Sequence, residues 1–138
     1  MTGDEKKQRA AEFLQLCATG QTDKVTSMIT DDYYFESMKR KNGPGDEDKP
    51  LQNIVAREAF LAYAPNVVGL TKSGLNLKVD LAMADGDDVA MFGTSNAVTH
   101  KDKVYSNSYC WFFHFRGDKI AFFREYCDFH LVHTVLRA

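Results

Sequence analysis

From Leu75 onward, apolar and polar positions alternate. Leu75, Leu77, Val79, Leu81 and Met83 alternate with Asn76, Lys78, Asp80 and Ala82, the period of a half-buried strand. Asp85-Gly86 is a hairpin turn signal. Residues 88–99, 104–115 and 119–129 read as three further strands, with turns at His100–Lys103 and Arg116–Asp118. Strands longer than the usual five or six residues predict a strongly curved sheet. Ahead of Leu75 the period is helical. Thr2-Gly3-Asp4-Glu5 is a capping box, followed by Phe13, Leu16, Cys17 and a terminating Gly20. Thr22 and Asp23 open a short second helix with Val25, Met28 and Ile29 on one face, which Asp31-Asp32 stops. Tyr33 to Met38 has strand composition. Residues 39–52 form a polar loop with two turn signals, Lys39, Arg40 and Lys41 leading into Asn42-Gly43-Pro44-Gly45. Asn53 caps a third helix, with Val55, Ala56, Ala59, Phe60 and Tyr63 on one stripe and Pro65 at its end. Helices followed by an antiparallel meander predict an α+β domain with helices on one sheet face. Nothing repeats internally, so residues 1–138 read as a single domain.

Composition narrows the function classes. Hydrophobic residues at 44% and charged residues at 26% fit a globular chain and exclude a disordered or collagen-like one. A net charge of −2 argues against electrostatic binding of nucleic acid. No apolar run approaches the ~20 residues of a membrane span, and the N-terminus lacks a signal-peptide core. Cys17, Cys110 and Cys127 form neither a disulfide framework nor a zinc spacing. A reducing, cytoplasmic setting is the expectation.

The aromatic residues crowd into the last third, where the densest chemistry lies. Register decides which side chains share a face. A three-residue loop, Arg116-Gly117-Asp118, suits a positive-φ residue near its end and pairs Phe115 with Lys119. Phe113 then faces Ala121, Trp111 faces Phe123, Tyr109 faces Glu125, and Asn107 faces Cys127. The other face holds Ser108, Cys110, Phe112, His114, Ile120, Phe122, Arg124, Tyr126 and Asp128. A two-residue loop would instead bring Arg124, Tyr126 and Asp128 beside Asn107. In the three-residue register Glu125 is the one formal charge among aromatic rings. Desolvation is expected to raise its pKa into the range useful for proton transfer. Tyr109 and Asn107 could hydrogen-bond a substrate oxygen or an enolate. The competing reading is a structural ion pair between Glu125 and a helix Arg or Lys.

The hairpin resembles the SnoaL-like branch of the nuclear transport factor 2-like superfamily. The resemblance rests on Asn107-Ser108-Tyr109, Phe113-His114-Phe115, Lys119-Ile120 and Arg124-Glu125-Tyr126-Cys127-Asp128. It implies a cystatin-like cone: a curved antiparallel sheet wrapped around three N-terminal helices, with a deep apolar pocket. Relatives in this superfamily include polyketide cyclases, ketosteroid isomerases, limonene epoxide hydrolases and the phenazine-biosynthesis A/B proteins. The ketosteroid isomerase base falls here on Ser37, its tyrosine donor on Phe13 and its second acid donor on Trp111. The Arg-x-Asp of limonene epoxide hydrolase falls on Phe92-Gly93-Thr94, and only its last acid has a counterpart, Glu125. The pocket Glu of the phenazine proteins also matches Glu125. The resemblance thus implies one pocket acid, as in the polyketide cyclases, which move a proton beside a carbonyl.

The expected site is therefore Glu125 as catalytic acid/base, with Asn107, Tyr109, Trp111, Phe123, Phe35, Ser37, Phe92 and Thr94 as substrate-binding residues. Tyr33 and Phe113 are possible neighbours in the same lining, although core packing accounts for many such rings. The expected partner is a small hydrophobic ligand. His130 and His133 are three apart without matching carboxylates, so no metal is expected, and no cofactor is implied. No His is placed to activate Cys127. Asp46-Glu47-Asp48 reads as a solvated loop, or as part of a lid. The outer hairpin face, with Phe112, Ile120, Phe122 and Tyr126, predicts a back-to-back homodimer. Two function classes stand open: a cofactor-independent cyclase or isomerase, and a non-catalytic ligand-binding or assembly domain.

Overall fold

The computed structural model describes residues 1–39 and 41–138; Arg40 of the basic triplet lies outside the described residues. Helix α1 spans Gly3–Ala18. Its capping box is complete: Glu5 N–H donates to Thr2 Oγ1 at 3.1 Å, and Thr2 N–H donates to Glu5 Oε1 at 3.1 Å. Ala10, Phe13, Leu14 and Ala18 form its buried stripe, at the spacing that places side chains on one helix face. Gly20, at φ 74°, takes the left-handed conformation that turns the chain out of the helix.

The expected second helix is reduced to two 3-10 turns, Thr22–Lys24 and Thr26–Met28. Val25 and Met28 still face the core. Strand β1 runs Ile29–Met38, so Asp31 and Asp32 lie within it rather than ending a helix. Asp32 accepts two hydrogen bonds from Arg116 Nη1 at 3.0 and 3.1 Å. Residues 53–56, expected to begin the third helix, and Gln52, expected in the loop before it, pair with β1 as strand β2 (Gln52–Ala56), where Asn53 sits opposite Ser37 instead of capping. Helix α2 spans Arg57–Val68 and continues past Pro65. Proline has no N–H to give the carbonyl four residues back, and that carbonyl, Leu61 O, accepts the Thr22 hydroxyl at 3.3 Å instead.

Strands β3 (Lys78–Asp85), β4 (Asp88–Val98), β5 (Val104–Arg116) and β6 (Lys119–Cys127) complete a six-stranded sheet of order β2-β1-β6-β5-β4-β3. The meander is antiparallel, as the period-two pattern predicts. The β1–β6 pair is parallel, which makes the sheet mixed. Phe129–Leu131 and a turn of π-helix, Val132–Leu136, end the ordered elements. No helix among the described residues is long and apolar enough to cross a membrane.

Two extra residues in the ladders decide which side chains face inward. Asp80 is unpaired between Val79↔Gly93 and Leu81↔Phe92. The alternation therefore reverses there, and Leu81 and Met83 point out, 52% and 53% exposed, while Val79, Ala82 and Ala84 pack inward. In the β5–β6 hairpin the loop is Gly117-Asp118, with Arg116 paired to Lys119. Ala121 is the extra residue, between Phe115↔Ile120 and His114↔Phe122. A two-residue loop alone would turn Arg124 inward, and the bulge turns Glu125 inward instead. The face expected for Phe123, Glu125 and Cys127 is thus occupied by them, but every partner is shifted. Trp111 stands across from Glu125, Tyr109 across from Cys127, and Phe113 across from Phe123. Ile120, expected on the outer face, is fully buried inside.

The core lies between this inner face and helices α1 and α2. Phe13 meets Phe113 edge-on at 5.9 Å, Phe123 at 5.6 Å and Phe60 at 6.2 Å between ring centroids, a geometry that aromatic pairs favour.

Candidate active site

The curvature that bends the sheet around α1 and α2 leaves a cavity of about 120 Å³ between them, comparable to the space that holds a benzene-sized molecule in a protein core. Its walls are largely apolar. Phe13 and Cys17 come from α1, Phe60 from α2, Phe35 from β1 and Phe123 from β6. The segment after β6 closes one side with Phe129, Val132 and Leu136, at i, i+3 and i+7 on one helical face.

Glu125 is half-buried and lines this cavity. It also lines a second, smaller one with Glu36, Ser37, Gln52 and Tyr126. Its neighbours in the sheet are Trp111 on β5 and Ser37 on β1. Trp111 Nε1–H donates to Glu125 Oε2 at 3.3 Å, and none of the ion pairs among the described residues involves Glu125. Desolvation pushes its pKa up to about 7, with the Trp111 hydrogen bond pulling weakly the other way. Trp111 is held in place from behind. A Cβ on Gly93 would stand 2.5 Å from Trp111 Cζ3 and 2.1 Å from the Lys78 carbonyl oxygen, so only glycine admits the indole there. Burial first, and the Glu125 charge second, push the Cys17 and Cys127 thiols up to about 12. Both therefore remain protonated and poor nucleophiles near neutral pH.

A hydrogen-bonded chain runs along the same face. Asn107 Nδ2 donates to Tyr105 Oη at 2.8 Å, Tyr105 and Tyr109 hydroxyls meet at 3.2 Å, and Tyr109 donates to Ser95 Oγ at 2.9 Å. With the Tyr109 proton on Ser95, the Tyr105 proton lies toward Tyr109. Asn107 also donates to the Asp128 carbonyl at 3.0 Å and accepts from the Asp128 N–H at 3.0 Å. Its amide thus clamps the end of β6 to β5. Burial pushes the Tyr105 hydroxyl up to about 12 and that of Tyr109 higher still. Both tyrosines touch the cavity as neutral groups whose protons are already engaged.

The family model of the SnoaL-like domain matches residues 10–123. The chain belongs to that family. No curated protein sequence matches it. Solved structures share the fold along nearly the whole SnoaL-like chain. An NTF2-like protein from Anabaena variabilis is 22% identical, with 93% of each chain covered and a TM-score of 0.68. An LEH-like epoxide hydrolase from M. tuberculosis is 18% identical, covering 98% of this chain and 92% of its own, with a TM-score of 0.68. A structure described as a candidate SnoaL-like polyketide cyclase, from Jannaschia, is 14% identical, covering 95% of this chain and 92% of its own, with a TM-score of 0.71. At these identities the likeness concerns the fold.

Within the SnoaL-like fold, Glu125, Tyr109, Phe123, Phe35 and Ser37 line the cavity. Trp111 stands behind Glu125, fully buried, and Asn107 serves the β5–β6 clamp. Phe92 and Thr94 are corrected: both lie on the outer face, Phe92 46% exposed, because Met91, Gly93 and Ser95 take the inward positions of β4. Tyr33 is buried with its hydroxyl unpartnered. The sequence reading did not assign Phe13, Phe60, Tyr63, Tyr105 and the 129–137 segment to the site. The helical stripes Phe13–Cys17 and Phe60–Ala64 were the available signal for the first of these, since a stripe facing a concave sheet faces the cavity as well.

Proposed function

We propose that this SnoaL-like domain binds a small hydrophobic molecule in the cavity, and that Glu125 acts there as a cofactor-independent general acid/base of the cyclase or isomerase kind. The observation that carries the reading is an acid with no cationic partner among the described residues, facing an apolar cavity, with its pKa raised to about 7. Such a group is present in both protonation states at neutral pH, so it can accept and return a proton in one turnover. On a carbonyl substrate, the Glu125 carboxylate would take a proton from the adjacent carbon. The C–H electron pair would become the enolate double bond, with the charge on oxygen, and the carboxylic acid would deliver the proton to carbon again.

Deuterium exchange tests this without knowledge of the natural substrate. Acetophenone, a flat ketone with exchangeable methyl protons, is incubated with the protein in D2O. The wild type is expected to accelerate exchange and Glu125→Gln to lose the acceleration, on the order of 100-fold. Equal rates with the two proteins would reject proton transfer by Glu125.

The commitment of the Tyr109 and Asn107 donors favours a second reading, ligand binding without chemistry, since neither is free to stabilise an enolate. Binding of the ketone without exchange would support it. We also propose a homodimer through the outer sheet face. There Leu81, Met83, Phe92 and Tyr126 are 44–53% exposed, beside Phe112 and Phe122, an apolar area that a monomer leaves wet. Sedimentation at micromolar concentration distinguishes dimer from monomer.

A further inference from the structure

Among the described residues, two side chains of charged type line the cavity, Glu125 and Arg137. They do not pair with each other: among the described residues, the hydrogen bond and the cation–π contact of the Arg137 side chain are both with Tyr63. Arg137 Nη2 donates to Tyr63 Oη at 3.0 Å, and its guanidinium carbon lies 5.6 Å from the Tyr63 ring centroid. Tyr63 is 40% exposed and Arg137 is exposed, so this contact joins α2 to the last segment at the solvent end of the cavity. Phe60, one turn earlier on α2, packs against Phe13, Tyr33 and Phe35 in the interior.

Other arginines are engaged differently. Arg57, Arg116 and Arg124 each face a carboxylate, of Glu58, Asp32 and Glu36, and Arg9 donates to the Asp118 carbonyl. Arg137 has a cation–π platform and a hydroxyl, which orient the guanidinium without neutralising it. One of its five N–H groups is used by Tyr63, and the planar fork keeps donors suited to a bidentate carboxylate. The cavity thus combines aromatic walls with a cation that no carboxylate pairs among the described residues, oriented by Tyr63.

We propose that the ligand is a flat, apolar molecule bearing a carboxylate, its body between the aromatic walls and its anionic group on Arg137. This deepens the reading of the cavity as a hydrophobic ligand site and rests on it. Arg137 is a specificity-determining residue in this scheme, and Tyr63 positions it.

Isothermal titration calorimetry with two probes of similar shape tests the proposal. Benzoate is ionised at neutral pH, and acetophenone is neutral. The wild type is expected to bind benzoate about tenfold more tightly, the worth of one charge-assisted contact. Arg137→Gln removes that preference and leaves affinity for the ketone unchanged. Arg137→Lys, which keeps the charge and loses the fork, retains part of the preference. Tyr63→Phe, which keeps the ring and loses the hydroxyl, weakens benzoate binding alone. Equal wild-type affinities for the two probes would overturn the anionic ligand while leaving the hydrophobic site intact. An Arg137→Gln variant that weakens both probes alike would also overturn it, because the residue would then be shaping the cavity. If neither probe binds, the hydrophobic site itself falls, and this inference with it.

Discussion

Glu36 and Glu125 lie one register step apart on neighbouring strands and on opposite faces of one sheet. Glu36 stands beside Arg124 and pairs with it; Ser37 stands beside Glu125. The outer-face acid is therefore a buried charge with its countercharge, its side chain 8% exposed. Among the described residues, the inner-face acid has a single hydrogen bond, from Trp111, and an apolar cavity in front of it. A paired acid holds structure; an unpaired one facing an apolar cavity shifts its pKa and becomes available for proton transfer. Four perturbations break or sharpen that contrast.

The largest effect is expected from Gly93→Ala. The new methyl group would overlap both the Lys78 backbone and the Trp111 ring, and backbone cannot step aside as a side chain does. A loss of about 3 kcal/mol or more is expected in urea denaturation. Because Trp111 is the protein's single tryptophan, its emission reports whether the indole has left Glu125. Unchanged stability and emission would show that Gly93 does not support the inner acid.

Next comes Arg124→Leu, which strands Glu36 in a buried position. Removal of one partner of a buried pair costs about 3–5 kcal/mol. Arg124 is 39% exposed, so screening reduces the expected loss to about 2 kcal/mol. The double variant Arg124→Leu/Glu36→Leu should recover most of it. A single variant as stable as the wild type would make the two acids equivalent.

The pH dependence of stability is smaller and has a definite sign. Glu125 titrates near 4.5 when unfolded and at about 7 when folded. Below 4.5 it is protonated in both states and contributes no slope. Between 4.5 and about 7 the folded state binds the proton more tightly, so stability falls as pH rises, and above that window the loss is complete. The interval from 4.5 to about 7 corresponds to about 3 kcal/mol, which solvent screening of the half-buried carboxyl reduces to on the order of 2 kcal/mol. The difference between wild-type and Glu125→Gln melting temperatures across this window isolates it. A flat difference would place the acid's pKa near its ordinary value.

Glu125→Leu has the smallest expected effect, between zero and about 1 kcal/mol of stabilisation at pH 8, because an uncompensated acid is removed from an apolar wall. An ion-paired Glu125 would instead lose about 3 kcal/mol on this substitution. Thermal denaturation of the Leu variant thus separates the two roles that the sequence left open for this residue.

Legibility in the sequence followed the range of the determining forces. The capping box of α1, the long strands of the meander and the positions of their turns are local, and each is readable from residues within a few positions of it, although the β5–β6 loop has two residues rather than the expected three. The resemblance of the 104–128 hairpin, with the cone it implied, was carried by short motifs of the same kind. Local pattern misassigned residues 53–56, whose helical stripe yielded to pairing with β1, and Pro65, whose missing hydrogen bond is compensated by Thr22 from another element. The two bulges were invisible for a related reason. Asp80 and Ala121 carry no sequence mark of being extra, because a bulge is set by how a whole ladder curves against the helices. Yet those two residues decide that Leu81 and Met83 face out and that Glu125 faces in. The identity of the pocket acid was thus written in the sequence, as a carboxylate among rings. Its neighbour Trp111, its lack of a cationic partner among the described residues and the presence of Arg137 on the same cavity were decided by tertiary structure, since each depends on segments brought together only when the sheet closes over α1 and α2.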